Sequence, residues 1–209
     1  MTSPRERYRA QVRAEVKEHA WVQIAEAGTS AISLNAIAKT MGLSGPALYR
    51  YFASRDELIT DLVIDAYRQL VDAARTAVAA KGSDPAVLAN AIRDWAHEFP
   101  QRYFLIYGTP IPGYHAPQTT TEIVSELMAM LLEAMRDRDP GPVTAFDENL
   151  AEHRQWTTVD VPEGILRDAL TFWTRLHGVI SLEIAGQFQD MGFDTQLLFE
   201  TELASMLGR

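Results

Sequence analysis

The stretch IAKTMGLSGPALYRYFASRDEL, residues 37–58, decides the fold of the amino-terminal part of this chain. A short apolar helix pattern ends at Gly42, Ser44 follows, and a second short pattern runs to about Phe52. Glycine ends helices because it tolerates a left-handed backbone, and a serine hydroxyl accepts from the free amides at a helix start. The stretch therefore predicts two short helices joined by a tight turn, the helix-turn-helix arrangement.

The two short helices divide their side chains between a core and an outer surface. Ile37, Leu43 and Leu48 are spaced to fill the angle between the helices, and Ala36 and Ala38 are small enough for a close crossing. Phe52, just before the next helix cap, is also predicted to be core. The outward positions are Gly45, Pro46, Ala47, Tyr49, Arg50 and Tyr51.

These outward residues suit duplex DNA. Tyrosine and arginine side chains donate to phosphate oxygens, as do the amides at a capped helix start. Arg50 can also donate two hydrogen bonds to a guanine edge, and Pro46 and Ala47 can contact a thymine methyl group. The cationic residues from Arg5 to Arg13 fit two interpretations equally, a solvated helix face or DNA-backbone contact.

The rest of the chain has the apolar period of helices, with no strand pattern of any length. One stripe in the first helix is formed by Tyr8, Val12, Val16, Ala20 and Ile24. Residues 139–162 have no clear period and are expected to form a loop. The helices are predicted at about 5–27, 34–41, 44–52, 54–81, 85–98, 101–107, 119–137, 163–187 and 194–207.

The composition excludes several classes of protein. The net charge is −9, yet residues 1–57 carry eight basic and six acidic side chains, so a slightly cationic head precedes an acidic body. There is no cysteine, no apolar stretch long enough for a membrane span and no signal-peptide core, so a cytoplasmic protein is expected. Asp94 and His97 share a helix face, but no second metal-binding pair accompanies them. Without any catalytic motif, we expect no enzyme activity, no metal and no cofactor.

Residues 33–59, SLNAIAKTMGLSGPALYRYFASRDELI, resemble the TetR (tetracycline-repressor-like) family of bacterial transcription regulators. The resemblance implies that Tyr49 and Arg55 contact phosphates and that residues 44–52 form the recognition helix. Many relatives have polar residues where this chain has Gly45 and Ala47, so base reading is expected to rest mostly on Arg50 and Tyr51. The candidate DNA contacts are Ser33, Asn35, Ser44, Gly45, Pro46, Ala47, Tyr49, Arg50, Tyr51 and Arg55.

The carboxyl-terminal part resembles one subgroup of the same family. FWTRLHGVISLEIAGQF, residues 172–188, contains its Trp-x-x-x-His-Gly signature, and FPQRYFLIYGTPIPGY, residues 99–114, is also similar to it. The glycine of the signature, Gly178, predicts a close approach between helices. The resemblance implies an effector cavity, with candidate lining residues Trp95, Phe99, Tyr103, Tyr107, Met128, Trp173 and His177.

The last two helices have apolar faces that a twofold dimer would bury. The residues expected there are Leu166, Leu170, Trp173, Ile180, Ile184, Leu198 and Met206. Dimerisation also suits the reading of two major grooves about one turn apart, ~34–36 Å. The sequence thus predicts an all-α homodimer with a three-helix DNA-binding domain, 1–53, and a larger effector-binding and dimerisation domain, 54–209.

Three functions remain open from the sequence. The first is a repressor released from double-stranded operator DNA by a small molecule, with the helix at 54–81 transmitting the change. The second is an all-α ligand-binding or adaptor protein without DNA binding, which the few polar side chains at Gly45 and Ala47 allow. A small helical enzyme ranks last.

Overall fold

A computed structural model of the chain describes residues 3–208, which contain ten α-helices and no β-strand. Two short 3₁₀ turns, Thr29–Ala31 and Gln189–Met191, join neighbouring helices. The α-helices are α1 Pro4–Ala27, α2 Leu34–Thr40, α3 Gly45–Leu48, α4 Arg55–Lys81, α5 Pro85–Glu98, α6 Pro100–Tyr107, α7 Gln118–Met135, α8 Ala145–Glu152, α9 Glu163–Ile184 and α10 Thr195–Leu207.

The helices form two compact units. The first unit contains the chain up to Tyr67 together with Gln101–Thr120, and the second contains Arg68–Pro100 and the chain from Thr121 onwards. The division falls within α4 because the first two turns of that helix, including Leu58 and Leu62, are buried in the core of the first unit. The functional domain bounds at residues 53 and 54 stay a prediction.

Helix α1 contributes a narrow stripe to the first core. Val12, Val16, Ala20 and Ile24 are buried as predicted, and Gly28 follows the end of the helix. Tyr8 is not part of the stripe, because its side chain is 62% exposed. The prediction failed there because residues 3–11 are exposed throughout, so the start of α1 has no core to contact.

Polar contacts attach α1 to α4 inside the first unit. The Arg13 guanidinium donates to Glu57 at 2.9 Å, to Asp61 at 2.6 Å and to the carbonyl of Tyr51. It also lies 4.0 Å from the centre of the Phe52 ring. Arg13 thus has a structural role, in contrast to both interpretations that its sequence position allowed.

The segment 139–162 contains a helix that periodicity missed. The Thr144 hydroxyl accepts from the Asp147 amide at 3.4 Å, and the Asp147 carboxylate accepts from the Thr144 amide at 2.7 Å. This reciprocal capping box begins α8. Arg167 on α9 donates to the same carboxylate at 2.5 Å. The local signal was the Thr-x-x-Asp spacing rather than an apolar stripe.

In the second unit, a buried ion pair joins α5 to α9, and a hydrogen bond from the same arginine reaches α10. Arg93 on α5 donates from Nε and Nη2 to the two carboxylate oxygens of Glu183 on α9, at 2.9 and 2.6 Å. Its Nη1 donates to Gln196 on α10. Burial raises the pKa of Glu183, but hydrogen bonds from Arg93, Thr195 and His97 outweigh burial and hold that pKa at about 2. The group is therefore an ion pair at all ordinary pH values.

Candidate functional site

The turn between α2 and α3 depends on a left-handed glycine. Gly42 has φ +68°, and the following Leu43 amide donates to the Ala38 carbonyl at 2.8 Å. The hydroxyls of Ser33 and Ser44 each accept from the amide three residues later at 3.3 Å, so the predicted cap at Ser44 is present and Ser33 caps α2 in the same way. Serine side chains thus begin both helices, and a left-handed glycine follows the end of α2.

Only one of the two alanines predicted to allow a close crossing of α2 and α3, Ala38, is buried. Ala36 is exposed, whereas a Cβ added to Gly45 would lie 3.3 Å from the Asn35 side-chain oxygen. Ile37 and Leu48 are buried as predicted, Ala38 is buried beside them, and Leu43 is half-buried and packs against the same core. A side chain at Gly45 would therefore require the exposed Asn35 side chain to move by a few tenths of an ångström.

Helix α3 is shorter than the predicted 44–52. It ends at Leu48, and residues 49–51 form turns in which the Arg50 and Tyr51 amides donate to carbonyls three residues earlier. Phe52 is fully buried, as predicted. The buried Leu48 and Phe52 hold the two ends of this turn against the core, which leaves the residues between them on the surface.

The candidate DNA contacts separate into exposed and half-buried groups. Tyr49 is 46% exposed, and Asn35, Ser44, Pro46 and Arg50 are also exposed. Ser33, Gly45, Ala47, Tyr51 and Arg55 are half-buried.

Two of the half-buried residues have contacts within the first unit. Tyr51 is half-buried and packs against the core, so it is less outward than predicted, and its DNA contact stays a prediction. Arg55 donates from Nε to the Ile32 carbonyl at 3.1 Å and from Nη2 to the Thr29 carbonyl at 3.3 Å. Arg55 therefore holds the loop before α2, and its phosphate contact stays a prediction.

A cleft of about 570 Å³ opens in the second unit between α4 and α5. Trp95 and Phe99 line it, with ring centroids 6.3 Å apart. Small residues, among them Ala73 and Ala77, leave the opposite wall open. A cleft of this size suits a drug-sized molecule.

The other candidate ligand residues do not line this cleft. Tyr103 and Tyr107 belong to the first unit, where their ring centroids lie 5.2 Å apart. Met128 lies on α7, and Trp173 and His177 lie on α9 with ring centroids 4.2 Å apart. Sequence reasoning missed the carboxylates of the cleft, Asp72, Asp94 and Glu98, because charged residues usually indicate a solvated face.

Asp94 and His97, which share a helix face, have different surroundings in the structure. Asp94 lines the cleft, whereas Nε2 of His97 lies 3.1 Å from the Glu183 carboxylate. Over residues 3–208 no group of three or more potential metal ligands is found. Within the chain, a Cβ added to Gly178 would meet nothing within 4 Å, so the close approach predicted there does not occur inside one protomer.

His177 supports a pH prediction. Burial lowers its pKa from 6.5 to about 4, so the folded protein keeps this imidazole neutral where the unfolded chain protonates it. Its contribution to stability is complete above about pH 6.5 and is lost as the pH falls toward 4. Urea unfolding at pH 7, 5.5 and 4.5 should show this decline, and His177→Phe should reduce it. An unchanged pH slope in that variant would contradict the burial argument.

The comparisons with known proteins match both parts of the chain. Residues 18–62, which contain the helix-turn-helix, match the bacterial regulatory proteins of the tetR family. Residues 85–206 match the tetracyclin repressor-like C-terminal domain. The chain belongs to the tetR family.

Two mycobacterial relatives illustrate the likeness. HTH-type transcriptional regulators Mb1846 from Mycobacterium bovis and Rv1816 from Mycobacterium tuberculosis are each 33% identical over 93% of this chain and 90% of the relative. Both are named as transcriptional regulators. The chain is therefore a DNA-binding transcriptional regulator with a carboxyl-terminal ligand-binding domain, and the adaptor alternative loses its support.

Two solved structures have the same fold. The crystal structure of SCO4313 is 61% identical and superposes with a TM-score of 0.92 over 99% of this chain and 100% of that one. The TetR family transcriptional regulator PfmR from Thermus thermophilus is 19% identical, with a TM-score of 0.58 over 90% and 95% of the two chains. Between residues 3 and 208, no helix is long and apolar enough to cross a bilayer.

Proposed function

We propose that this tetR-type regulator is a homodimeric repressor that leaves its operator when a small molecule binds the cleft between α4 and α5. The observation that carries the proposal is the surface turn after α3, where Tyr49 and Arg50 are exposed beside a buried Leu48. A phenol and a guanidinium in this position can contact phosphates and a base edge. Such a protein works in the cytoplasm, where bacterial operator DNA lies.

The mechanism we propose is a population shift. A ligand that prefers a dimer with a different spacing of its reading turns draws the protein away from the operator, because both turns must fit successive major grooves. Helix α4 is one continuous helix, and its second half lines the cleft. A change in that half is therefore our proposed route to the reading turns.

The dimer interface is proposed on α9 and α10. The exposed positions of α9 and its carboxyl end are uncharged and recur at helical spacing: Thr171, Thr174, Gly178, Leu182 and Ala185. Leu182 is 48% and Leu197 on α10 is 60% exposed. A partner helix could approach closely at Gly178, since no side chain stands there.

The structure changes which apolar residues are available for this interface. Leu166 and Ile180, expected there from sequence, are fully buried in the protomer's own core. Helical spacing assigned them to an apolar face but did not reveal which part of that face the protomer itself covers.

Introducing negative charges into the proposed interface should weaken the dimer. Because a twofold interface contains each substitution twice, Leu182→Asp with Leu197→Asp should weaken association by at least about a hundredfold. Analytical ultracentrifugation over a concentration series measures the change. Phe146→Asp is the control, since Phe146 is 46% exposed on α8. A dimer that survives the double substitution would disprove this interface.

Operator binding tests the reading turn. Arg50→Ala is expected to weaken binding by about tenfold to a hundredfold and to relax base preference, whereas Tyr49→Phe should weaken binding to all sequences alike. Fluorescence anisotropy with an operator selected from a random duplex library gives both affinities. Arg68→Ala is the control, because it removes an exposed cation from the second unit. If neither variant at the turn binds more weakly than the control, the assignment fails.

A further inference from the structure

The cleft in the second unit has carboxylates that its own cations do not balance. Asp72, Asp94 and Glu98 line it, together with Lys81. Asp72 is held by Arg75, which donates to it at 2.7 Å. Within the described part of the chain, Asp94 and Glu98 have no ion-pair partner. Two carboxylates of the cleft are thus left without an ion-pair partner between residues 3 and 208.

Asp94 and Glu98 lie one turn apart on α5. Like charges at this spacing repel each other and destabilise a helix. The nearby Arg93 attracts Asp94 through space, but its guanidinium donates its hydrogen bonds to Glu183 and Gln196, so it relieves the repulsion only in part. A positive group bound between the two carboxylates would relieve it.

The wall beside these carboxylates is aromatic and contains a buried donor. Trp95 and Phe99 line the same cleft, and aromatic faces attract cations. Trp95 is 3% exposed, and its indole N–H has no hydrogen-bond acceptor among residues 3–208. Buried donors are nearly always paired, so an unpaired one points to a bound group that supplies the acceptor.

We infer that the effector of this protein is an organic cation with an apolar body and a hydrogen-bond acceptor. Its positive group lies near Asp94 and Glu98, its body contacts the rings of Trp95 and Phe99, and its acceptor receives the indole N–H. This inference rests on the proposed function, because it assigns a ligand class to the same cleft.

The inference is tested with two ions of similar size and shape and opposite charge, tetraphenylphosphonium and tetraphenylborate. Isothermal titration calorimetry on the full chain without DNA measures both affinities. The phosphonium is expected to bind at least about tenfold more tightly. That preference should shrink as salt rises, because the carboxylates lie at an exposed rim.

Two sets of variants locate the charge and the site. Asp94→Asn with Glu98→Gln should remove about tenfold of the phosphonium affinity without weakening borate binding. Glu122→Gln with Glu152→Gln makes the same charge change at exposed carboxylates outside the cleft and should alter neither affinity. Ala77→Trp, which fills the cleft, should abolish binding of both ions.

A second ligand pair tests the indole donor. Methoxyethyl-triphenylphosphonium has an ether oxygen where butyl-triphenylphosphonium has a methylene group. The ether should bind several-fold more tightly, and Trp95→Phe, which keeps an aromatic ring, should remove the difference. An equal affinity of the pair in the unsubstituted protein would contradict the role of Trp95.

The outcomes separate this inference from the proposed function. Equal binding of the two ions, preference for the borate, no binding of either, or no loss in the Asp94 and Glu98 variant overturns the cationic effector. Phosphonium binding that survives Ala77→Trp places the site elsewhere and also overturns it. The operator assay with the Tyr49 and Arg50 variants contains no ligand, so its result stands independently.

Discussion

Replacing Arg93 with methionine is expected to lower the free energy of unfolding by about 3–5 kcal/mol. The side chains of Arg93 and Glu183 are only 11% and 4% exposed, so the substitution leaves a buried carboxylate without its main partner. Urea denaturation at pH 7 measures the loss. Replacing both residues, as Arg93→Met with Glu183→Leu, should recover most of it, because no charge then remains buried.

An exposed pair in the same unit provides the matched control for Arg93. Arg136 and Glu133 form an ion pair with the same 2.6–2.7 Å separation, but both are about half exposed. Arg136→Met should therefore cost less than about 1 kcal/mol. Equal losses in Arg93→Met and Arg136→Met would contradict the argument that burial makes the Arg93 pair important.

The Arg93–Glu183 pair also makes the free energy of unfolding depend on pH in the acid range. The pKa of Glu183 is about 2 in the folded protein, well below its ordinary value of 4.5. The unfolded chain therefore takes up this proton first, and the stabilisation present above about pH 4.5 is lost as the pH falls toward 2. This pH range, from about 4.5 to 2, lies almost entirely below the range for His177, from about 6.5 to 4, so the two contributions can be measured separately.

Leu48→Ala is expected to lower the free energy of unfolding by about 2–5 kcal/mol and to reduce operator affinity as well. Leu48 is fully buried and is the last residue of the four-residue helix α3. Its truncation leaves a cavity beneath the reading turn, so the outward side chains lose their fixed position. Thermal unfolding and fluorescence anisotropy measure the two effects on the same preparation.

The neighbouring residue separates folding from DNA contact. Tyr49→Phe removes one exposed hydroxyl and should leave the unfolding free energy within about 0.5 kcal/mol of the original. Operator affinity should fall in both variants, but stability should fall only in Leu48→Ala. A Leu48→Ala protein of unchanged stability would show that the short helix is not anchored through this side chain.

Local sequence signals predicted the helices and caps well. Ser33, Gly42 and Ser44 act within three or four residues of themselves, so their roles can be inferred without knowing what packs against them. The four-residue spacing of apolar side chains in α4 is also a local signal, and it marks the fully buried face formed by Leu58, Leu62, Ala66, Leu70 and Ala74. Helix α8 was missed because its signal was a capping box and not an apolar period.

Contacts between distant residues limited the prediction of the sites. Arg13 and Arg55 look like DNA-facing cations in the sequence, but their partners lie 23 to 48 positions away. Of the seven candidate ligand residues, only Trp95 and Phe99 line the cleft. An aromatic residue on a helix reveals an apolar face, but not which cavity that face meets.

The sequence by itself determined the all-α class, the helix-turn-helix and the tetR resemblance, because spacing, capping and turn residues are local properties. Only the tertiary structure decided that Tyr51 packs against the core, that Arg93 holds Glu183, and that acidic and aromatic residues share one cleft. Burial and charge pairing depend on which distant segments meet. No periodicity within a single helix contains that information.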